Sequence, residues 1–270
     1  IFNCLAFITD GSIMCVLGLF NRGKSYVLSR ILDLSFESSF FSHTEGISVV
    51  MPRKDSKMTL NLIGLDTKGS QQAVKLADEK KLMQAESTER FLKCLSAHLA
   101  DTILIVVDRM HREDQVYIHQ MKNMLKDKVN KKIIIVHNVP SVVTLDQMAQ
   151  VIREDIVEGF GAKECDPERP YWVETDNTRH VVLARDERTS NSPAGKLYNQ
   201  RTIDMLKEWL KAAASDSQRS LNLLNMVLEF TNSHLRRFFE ADLPKVAPFN
   251  DDGTIKIKCS QAVIKDEAPK

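Results

Sequence analysis

Between an apolar run, Ile13-Met-Cys-Val-Leu17, and a helix-favouring continuation, Tyr26 to Leu32, the chain reads Gly18-Leu-Phe-Asn-Arg-Gly23-Lys24-Ser25. The octet satisfies G-x-x-x-x-G-K-[ST], and no other stretch of the 270 residues constrains the fold as strongly. A buried strand has to deliver the chain into a tight loop whose N–H groups converge on an anion. The helix that follows has to aim its positive end at the same point. Gly18 and Gly23 permit the close approach and unusual dihedrals of such a loop. Lys24 is placed to reach the terminal phosphates of a nucleotide and Ser25 to offer its hydroxyl to Mg²⁺, with Asn21, Arg22 and Tyr26 in the same turn.

Bulk composition excludes several classes. Lysine and arginine number 37 against 36 acidic residues, a net charge of +1, so charge makes no case for nucleic acid or an anionic membrane. Cys4, Cys15, Cys94, Cys165 and Cys259 are scattered without metal-ligand spacing, which reads as reduced thiols of a cytoplasmic protein. No apolar run approaches the roughly 20 residues of a membrane span, and no signal peptide is visible. A start at Ile1 rather than Met reads as a segment of a longer protein.

Along the chain, strands alternate with helices. Phe2–Ile8 and Ile13–Leu17 read as a strand pair around Asp10-Gly11. A polar and aromatic loop, Ser35 to Ser42, leads to a strand in the second half of Thr44–Pro52. Met58–Leu65 alternates and then turns apolar, as a strand entering a core does. Helix-favouring sequence follows from Gln72 to Leu99. Thr102–Asp108 is a continuous β-branched run, the mark of a strand buried on both faces. A helix over Arg112–Lys126, a strand over Lys132–His137, and a helix from the Thr144/Gln147 capping box to about Glu158 come next. An exposed stretch precedes the strand His180–Ala184. Helices over Gly195–Ala213 and from Leu221 to Phe238 read as an extension packed on the domain, and Thr254–Lys258 as a strand of something further. The pattern predicts an α/β fold, a mostly parallel sheet flanked by helices on both faces with a C-terminal helical extension. Ligands of such sheets bind beyond the carboxyl ends of the strands, which would gather the phosphate loop, Asp66, Asn138 and Arg185-Asp186.

Two more motifs lie in phase with the loop. Asp66-Thr-Lys-Gly69 follows a strand and matches D-x-x-G, in which a carboxylate holds a magnesium-bound water and a glycine N–H meets the γ-phosphate. Thr44, between the two, is placed to complete the metal's ligands with Ser25 and Asp66. His111, His119 and His180 lack ligand spacing and read as solvated or structural.

The strings G-L-F-N-R-G-K-S, H-T-E-G-I and L-D-T-K-G resemble the GTP-binding domain of dynamin-related large GTPases, in particular the guanylate-binding protein and atlastin branch, over about Ile13 to Ala213. The resemblance implies a P-loop GTPase domain over residues 1–214, a helix over 215–240 packed on it, and an extension or further module over 241–270. It also implies Mg²⁺ as cofactor, GTP as substrate, and a nucleotide-dependent homodimer as an assembly. Catalytic roles fall to Lys24, Arg22 and Thr44, and nucleotide contacts to Gly18, Asn21, Arg22, Gly23, Lys24, Ser25, Tyr26, Asp66, Gly69, Asn138, Arg185 and Asp186.

The chain departs from that branch in three places. Its catalytic arginine belongs at position 21, where Asn21 stands; Arg22, one residue later, is the candidate cis arginine, the alternative being a pair with a carboxylate or a place facing a partner. Ser70 follows Gly69 where Ras-like enzymes carry a water-orienting glutamine. Ser141 stands where the guanine-reading aspartate of N-K-x-D belongs, leaving Asn138 as that motif's asparagine; Asp186 of the Arg185-Asp186 pair is the candidate substitute base reader, the alternative being a surface ion pair or turn. A non-hydrolysing nucleotide-binding scaffold and a P-loop small-molecule kinase are the alternatives.

Overall fold

Two features of the central strands set the architecture: burial of nearly every residue and alternation between two apolar layers. In the computed structural model, which describes residues 11–34, 46–51, 62–74, 78–126, 131–216 and 222–239, these strands are β1 (Ser12–Leu17), β3 (Leu62–Thr67), β4 (Thr102–Val107) and β5 (Lys132–Asn138). With β2 (Ile47–Val50), β6 (Lys163–Glu164), β7 (Tyr171–Thr175) and β8 (Thr178–Leu183) they form one eight-stranded sheet in the order β2-β3-β1-β4-β5-β8-β7-β6. Pairings from β3 to β8 are parallel, while β2, β7 and β6 run antiparallel at the two edges. Phe2–Ile8, the loop Ser35–Ser42, Thr44 and Thr254–Lys258 lie outside the described residues.

Alternate residues along each strand feed opposite layers. Ile13, Cys15, Leu17, Ile103, Ile105 and Ile135 face α2 (Glu79–Leu99), α3 (Arg112–Leu125) and α6 (Leu223–Phe239). Met14, Val16, Leu104, Val106 and Val136 face α1 (Lys24–Leu32) and α5 (Pro193–Asp216). A one-residue slip of any strand would exchange the two layers, so register is tightly specified. The parallel crossovers carry helices to both faces, as parallel sheets require.

Several elements depart from the expectation in instructive ways. Residues 72–74 are not helical, and α2 starts at Glu79, where Asp78 caps it by accepting the Lys81 N–H at 2.8 Å. The stretch read as exposed before β8 contains β7, joined to β8 by the two-residue turn Asp176-Asn177 between the paired Thr175 and Thr178. The Thr144/Gln147 capping box forms, but α4 (Leu145–Val151) then widens into a π-helical stretch, Ile152–Glu158. His180 is fully buried: its Nδ1 lies 3.0 Å from His137 Nε2 and its Nε2 3.0 Å from Glu174, which also pairs with Lys122. α6 lays Leu223 and Phe230 into the same layer as α2, with Phe230 against Phe91. Among the described residues no helix is long and apolar enough to cross a membrane.

Candidate functional site

The C-terminal ends of β1, β3, β5 and β8 all open on one edge, and each delivers a segment singled out by its sequence. After β1 the backbone curls through left-handed or positive-φ residues at Gly18, Asn21 and Gly23. Such a run turns successive N–H groups toward one concave point, the geometry that binds anions. Gly18 is forced by packing as well as by conformation, since a Cβ there would sit 2.3 Å from the Val106 carbonyl oxygen of β4. At Gly23 a Cβ would sit 2.4 Å from Asn138 Nδ2. Asn138 uses that same nitrogen to donate to the Arg22 carbonyl at 3.0 Å, binding the end of β5 to the loop.

Lys24 and Ser25 open α1. The Lys24 side chain is almost fully buried and donates to the Leu19 carbonyl at 3.0 Å, which folds it back over the loop. Burial pushes its ammonium down to about 8, with Asp66 opposing and Arg22 reinforcing the shift. Ser25 Oγ donates to Asp66 Oδ2 at 2.8 Å. Thr67 secures the strand end that carries Asp66 by donating to the Val16 carbonyl at 2.8 Å. A hydroxyl and a carboxylate side by side at the mouth of an anion nest are hard oxygen donors, a set that suits Mg²⁺ held jointly with phosphate. No group of three or more His, Cys, Asp or Glu among the described residues offers an all-protein metal site.

Gly69 presses on the phosphate loop: a Cβ there would lie 2.6 Å from Phe20 Cα and 2.9 Å from Lys24 Nζ. The next residue, Ser70, forms an isolated parallel bridge with Leu19; its carbonyl accepts from Phe20 N at 2.8 Å and its N–H donates to Gly18 O at 3.2 Å. The buried Tyr117 hydroxyl of α3 hydrogen-bonds both Ser70 and Gly18. D-x-x-G is thereby docked on the phosphate loop by main chain.

Arg22 points elsewhere. Its Nε and Nη2 hold the two oxygens of Asp114, at 3.2 and 2.9 Å. Asp114 is fully buried in the first turn of α3, where burial raises its pKa against the lowering pull of Arg22. The guanidinium is therefore committed to a carboxylate in this conformation.

At the far end of the edge lies the Arg185-Asp186 loop. Asp186 takes a two-pronged bond from Arg188, at 2.9 and 2.6 Å, and that bond, opposed by partial burial, draws its carboxyl down to about 2. Arg30, in the last turn of α1, reaches Asp186 at 3.8 Å, Glu187 at 3.3 Å and the Tyr26 hydroxyl at 3.0 Å. Arg185 is turned away to the Pro140 carbonyl at 2.9 Å. Asn199 of α5, fully buried, pins this loop through the Ala184 N–H at 2.8 Å and the carbonyls of Ala184 and Arg185. Neither Asn199 nor Asp114 was anticipated; an asparagine on the apolar stripe Ile203–Leu206–Leu210 was a signal for the first, and nothing marked the second. Thr44 lies outside the described residues, so the third metal donor is not placed.

Comparison with known proteins fits this geometry. Residues 13–139 match the model of the 50S ribosome-binding GTPase family. A heat shock protein of Dictyostelium discoideum is 26% identical over 219 residues, covering 73% of this chain and 32% of that protein. The chain thus spans about a third of that relative's length. Among solved structures, translation elongation factor SelB of Methanococcus maripaludis with the GTP analogue GppNHp is similar at 13% identity and TM-score 0.41, covering 78% of this chain and 35% of that one. Era of Aquifex aeolicus bound to GDP·AlF4⁻ is similar at 19% identity and TM-score 0.42, covering 74% and 56%. These findings do not support the guanylate-binding-protein branch that the motif strings resemble. Sheet order, loop geometry and the matched stretch agree on the fold: residues 13–139 lie in an α/β domain of P-loop GTPase fold.

Proposed function

We propose that this domain binds GTP with Mg²⁺ and hydrolyses it. One observation carries the reading: Lys24, the Ser25–Asp66 pair, Gly69 and Asn138, drawn from three strand ends, converge on one anion-binding loop. In hydrolysis a water oxygen bonds to the γ-phosphorus while the bond to the β-phosphate oxygen breaks, leaving GDP and phosphate. Lys24 and the loop amides stabilise the charge that gathers on the transferring group. Ser25 and Asp66 hold Mg²⁺, with Thr44 assigned as a further ligand. Bound there, the ion would supply positive charge against the phosphate oxygens.

Base selection we assign to Asp186, with Asn138 shaping the pocket from β5. Arg188 is well exposed at 59%, so its grip on Asp186 is a surface pair that a purine edge can displace. The guanylate-binding-protein-like subtype, with nucleotide-dependent homodimerisation, rests on the three motif strings alone. A second reading, nucleotide binding with very slow turnover, draws on Ser70 in place of glutamine and on an Arg22 already spent on Asp114.

The test is a panel of GTP, ATP, XTP and their diphosphates, with and without Mg²⁺, followed by phosphate release and by sizing of the nucleotide-bound protein. Tight, Mg²⁺-dependent GTP binding with phosphate release is expected. Equal affinity for ATP would remove the guanine assignment, and phosphate passed to an acceptor other than water would make the protein a kinase.

A further inference from the structure

Beyond Gly69 the chain bends through Gln71, a non-glycine residue in the left-handed region at φ 61°. Such a conformation carries strain and persists where neighbours hold it. Here the neighbour is Glu89, on α2 and outside every nucleotide motif. Its Oε2 accepts the Gln71 N–H at 2.8 Å, and its Oε1 pairs with Lys93 Nζ at 2.7 Å one turn along the helix. Lys93 in turn lies 4.5 Å from the centre of the Tyr117 ring, so the carboxylate is oriented from α2 and α3 together. On the near side of Gln71, Ser70 is bonded to Phe20 and Gly18, and Gly69 lies against Lys24 Nζ. The turn that presents Gly69 is thus clamped at both ends, by main chain on one side and by a single carboxylate on the other.

We propose that Glu89 is a positioning residue for the phosphate site: by holding Gln71 in its left-handed turn, it sets how closely the Gly69 main chain meets the γ-phosphate. The proposal rests on the GTPase reading above and adds a residue that reading does not contain. Glu89 touches no nucleotide and acts through Gln71 and Gly69. A diphosphate lacks the group that Gly69 meets, so the effect belongs to the triphosphate state alone.

Glu89→Ala and Glu89→Gln test it, since the amide oxygen of glutamine still accepts the Gln71 N–H. In Glu89→Ala, kcat/KM for GTP should fall about tenfold, the scale of one hydrogen bond, with GDP affinity held within about twofold. Glu89→Gln should retain most of the wild-type rate. Three results would overturn the proposal: a Glu89→Ala enzyme as fast as wild type, a glutamine variant as slow as the alanine one, or GDP affinity falling in step with kcat/KM. If the wild-type protein binds guanine nucleotides without turnover, the ratio of GppNHp to GDP affinity replaces kcat/KM, with the same split expected. Failure of the wild-type protein to bind any guanine nucleotide refutes the GTPase reading itself, and is seen before any variant is made.

Discussion

The phosphate end and the proposed base end of the site are built from different materials. At the phosphate end the work falls to main-chain groups and short, buried side chains: Gly18, Gly23, Gly69, the folded-back Lys24, and Ser25 on Asp66. At the base end it falls to long charged side chains paired with one another, Arg30, Asp186, Glu187 and Arg188. Main-chain geometry tolerates almost no substitution, because added atoms meet backbone. Of these four only Arg188 is exposed, at 59%, and a pair with an exposed partner adds little to stability. One end is rigidly specified and the other is open to retuning.

The largest effect should come from Gly18→Ala. Its Cβ would lie 2.3 Å from a β4 carbonyl, at a φ of 148° that only glycine adopts with ease. A loss of about 4 kcal/mol is expected in urea unfolding. A loss below about 1 kcal/mol would show the phosphate end to be softer than described. Lys24→Ala should leave the fold intact and cut turnover about a hundredfold, the scale of one lost donor to transition-state charge. A loss as small as that of a base-end variant would erase the contrast.

Arg22 sharpens the comparison, because it sits at the phosphate end yet behaves as a paired charge. Arg22→Ala strands the fully buried Asp114 carboxylate and should cost about 2 kcal/mol of stability. Asp114→Asn frees the guanidinium without removing it. If Arg22 serves as a cis arginine on the transferring phosphoryl group, Asp114→Asn keeps kcat while Arg22→Ala loses it by about a thousandfold. Equal kcat in both variants would assign the pair to structure alone.

At the base end, Asp186→Ala should lower the preference for GTP over ATP by about tenfold, the scale of its lost charge-assisted bonds, and change stability by less than about 1 kcal/mol. An unchanged preference would move base reading elsewhere.

The smallest effect is a pH dependence beneath the site. His137 and His180 are both held below the usual 6.5, by burial first; His180 adds to the lowering at His137, while at His180 Glu174 opposes it and Lys122 adds to it. The unfolded chain therefore binds more protons than the folded one below that value. Stability is fully present above pH 6.5 and should fall as the pH drops below it. A melting temperature that stays flat from pH 7.5 to 5.5 would contradict the buried relay. A His137→Gln variant should flatten part of the slope.

Legibility in the sequence followed the same divide. Backbone chemistry demands glycines, lysine and serine at fixed consecutive spacing, so the phosphate loop, D-x-x-G, their strands and the central sheet were readable as patterns. Asp114, Asn199 and Glu89 act across long sequence separations on loops they do not adjoin. Nothing local marks Asp114 or Glu89, and only its place on an apolar stripe marks Asn199. β7 was missed because its aromatic start, Tyr171-Trp172, sits in a charged neighbourhood and its turn is Asp-Asn rather than the stronger Asn-Gly signal. The late start of α2 follows its cap: Asp78 accepts the Lys81 N–H, which fixes the first turn there.

Helix α1 deserves a mechanical reading. At its first residues stand Lys24 and Ser25; at its last turn Arg30 grips Glu187 and Asp186, and just past its end Asp33 takes Lys207 of α5 at 2.6 Å. Nine residues make a rod about 13 Å long. A helix moves as one body, so a pull on the base-side loop is felt at the phosphates, and a shift at the phosphates is felt at the base. Coupling of this kind is reciprocal. Anything that draws the Arg185–Ser190 loop outward would loosen the whole nucleotide from one handle, and the handle is on the surface.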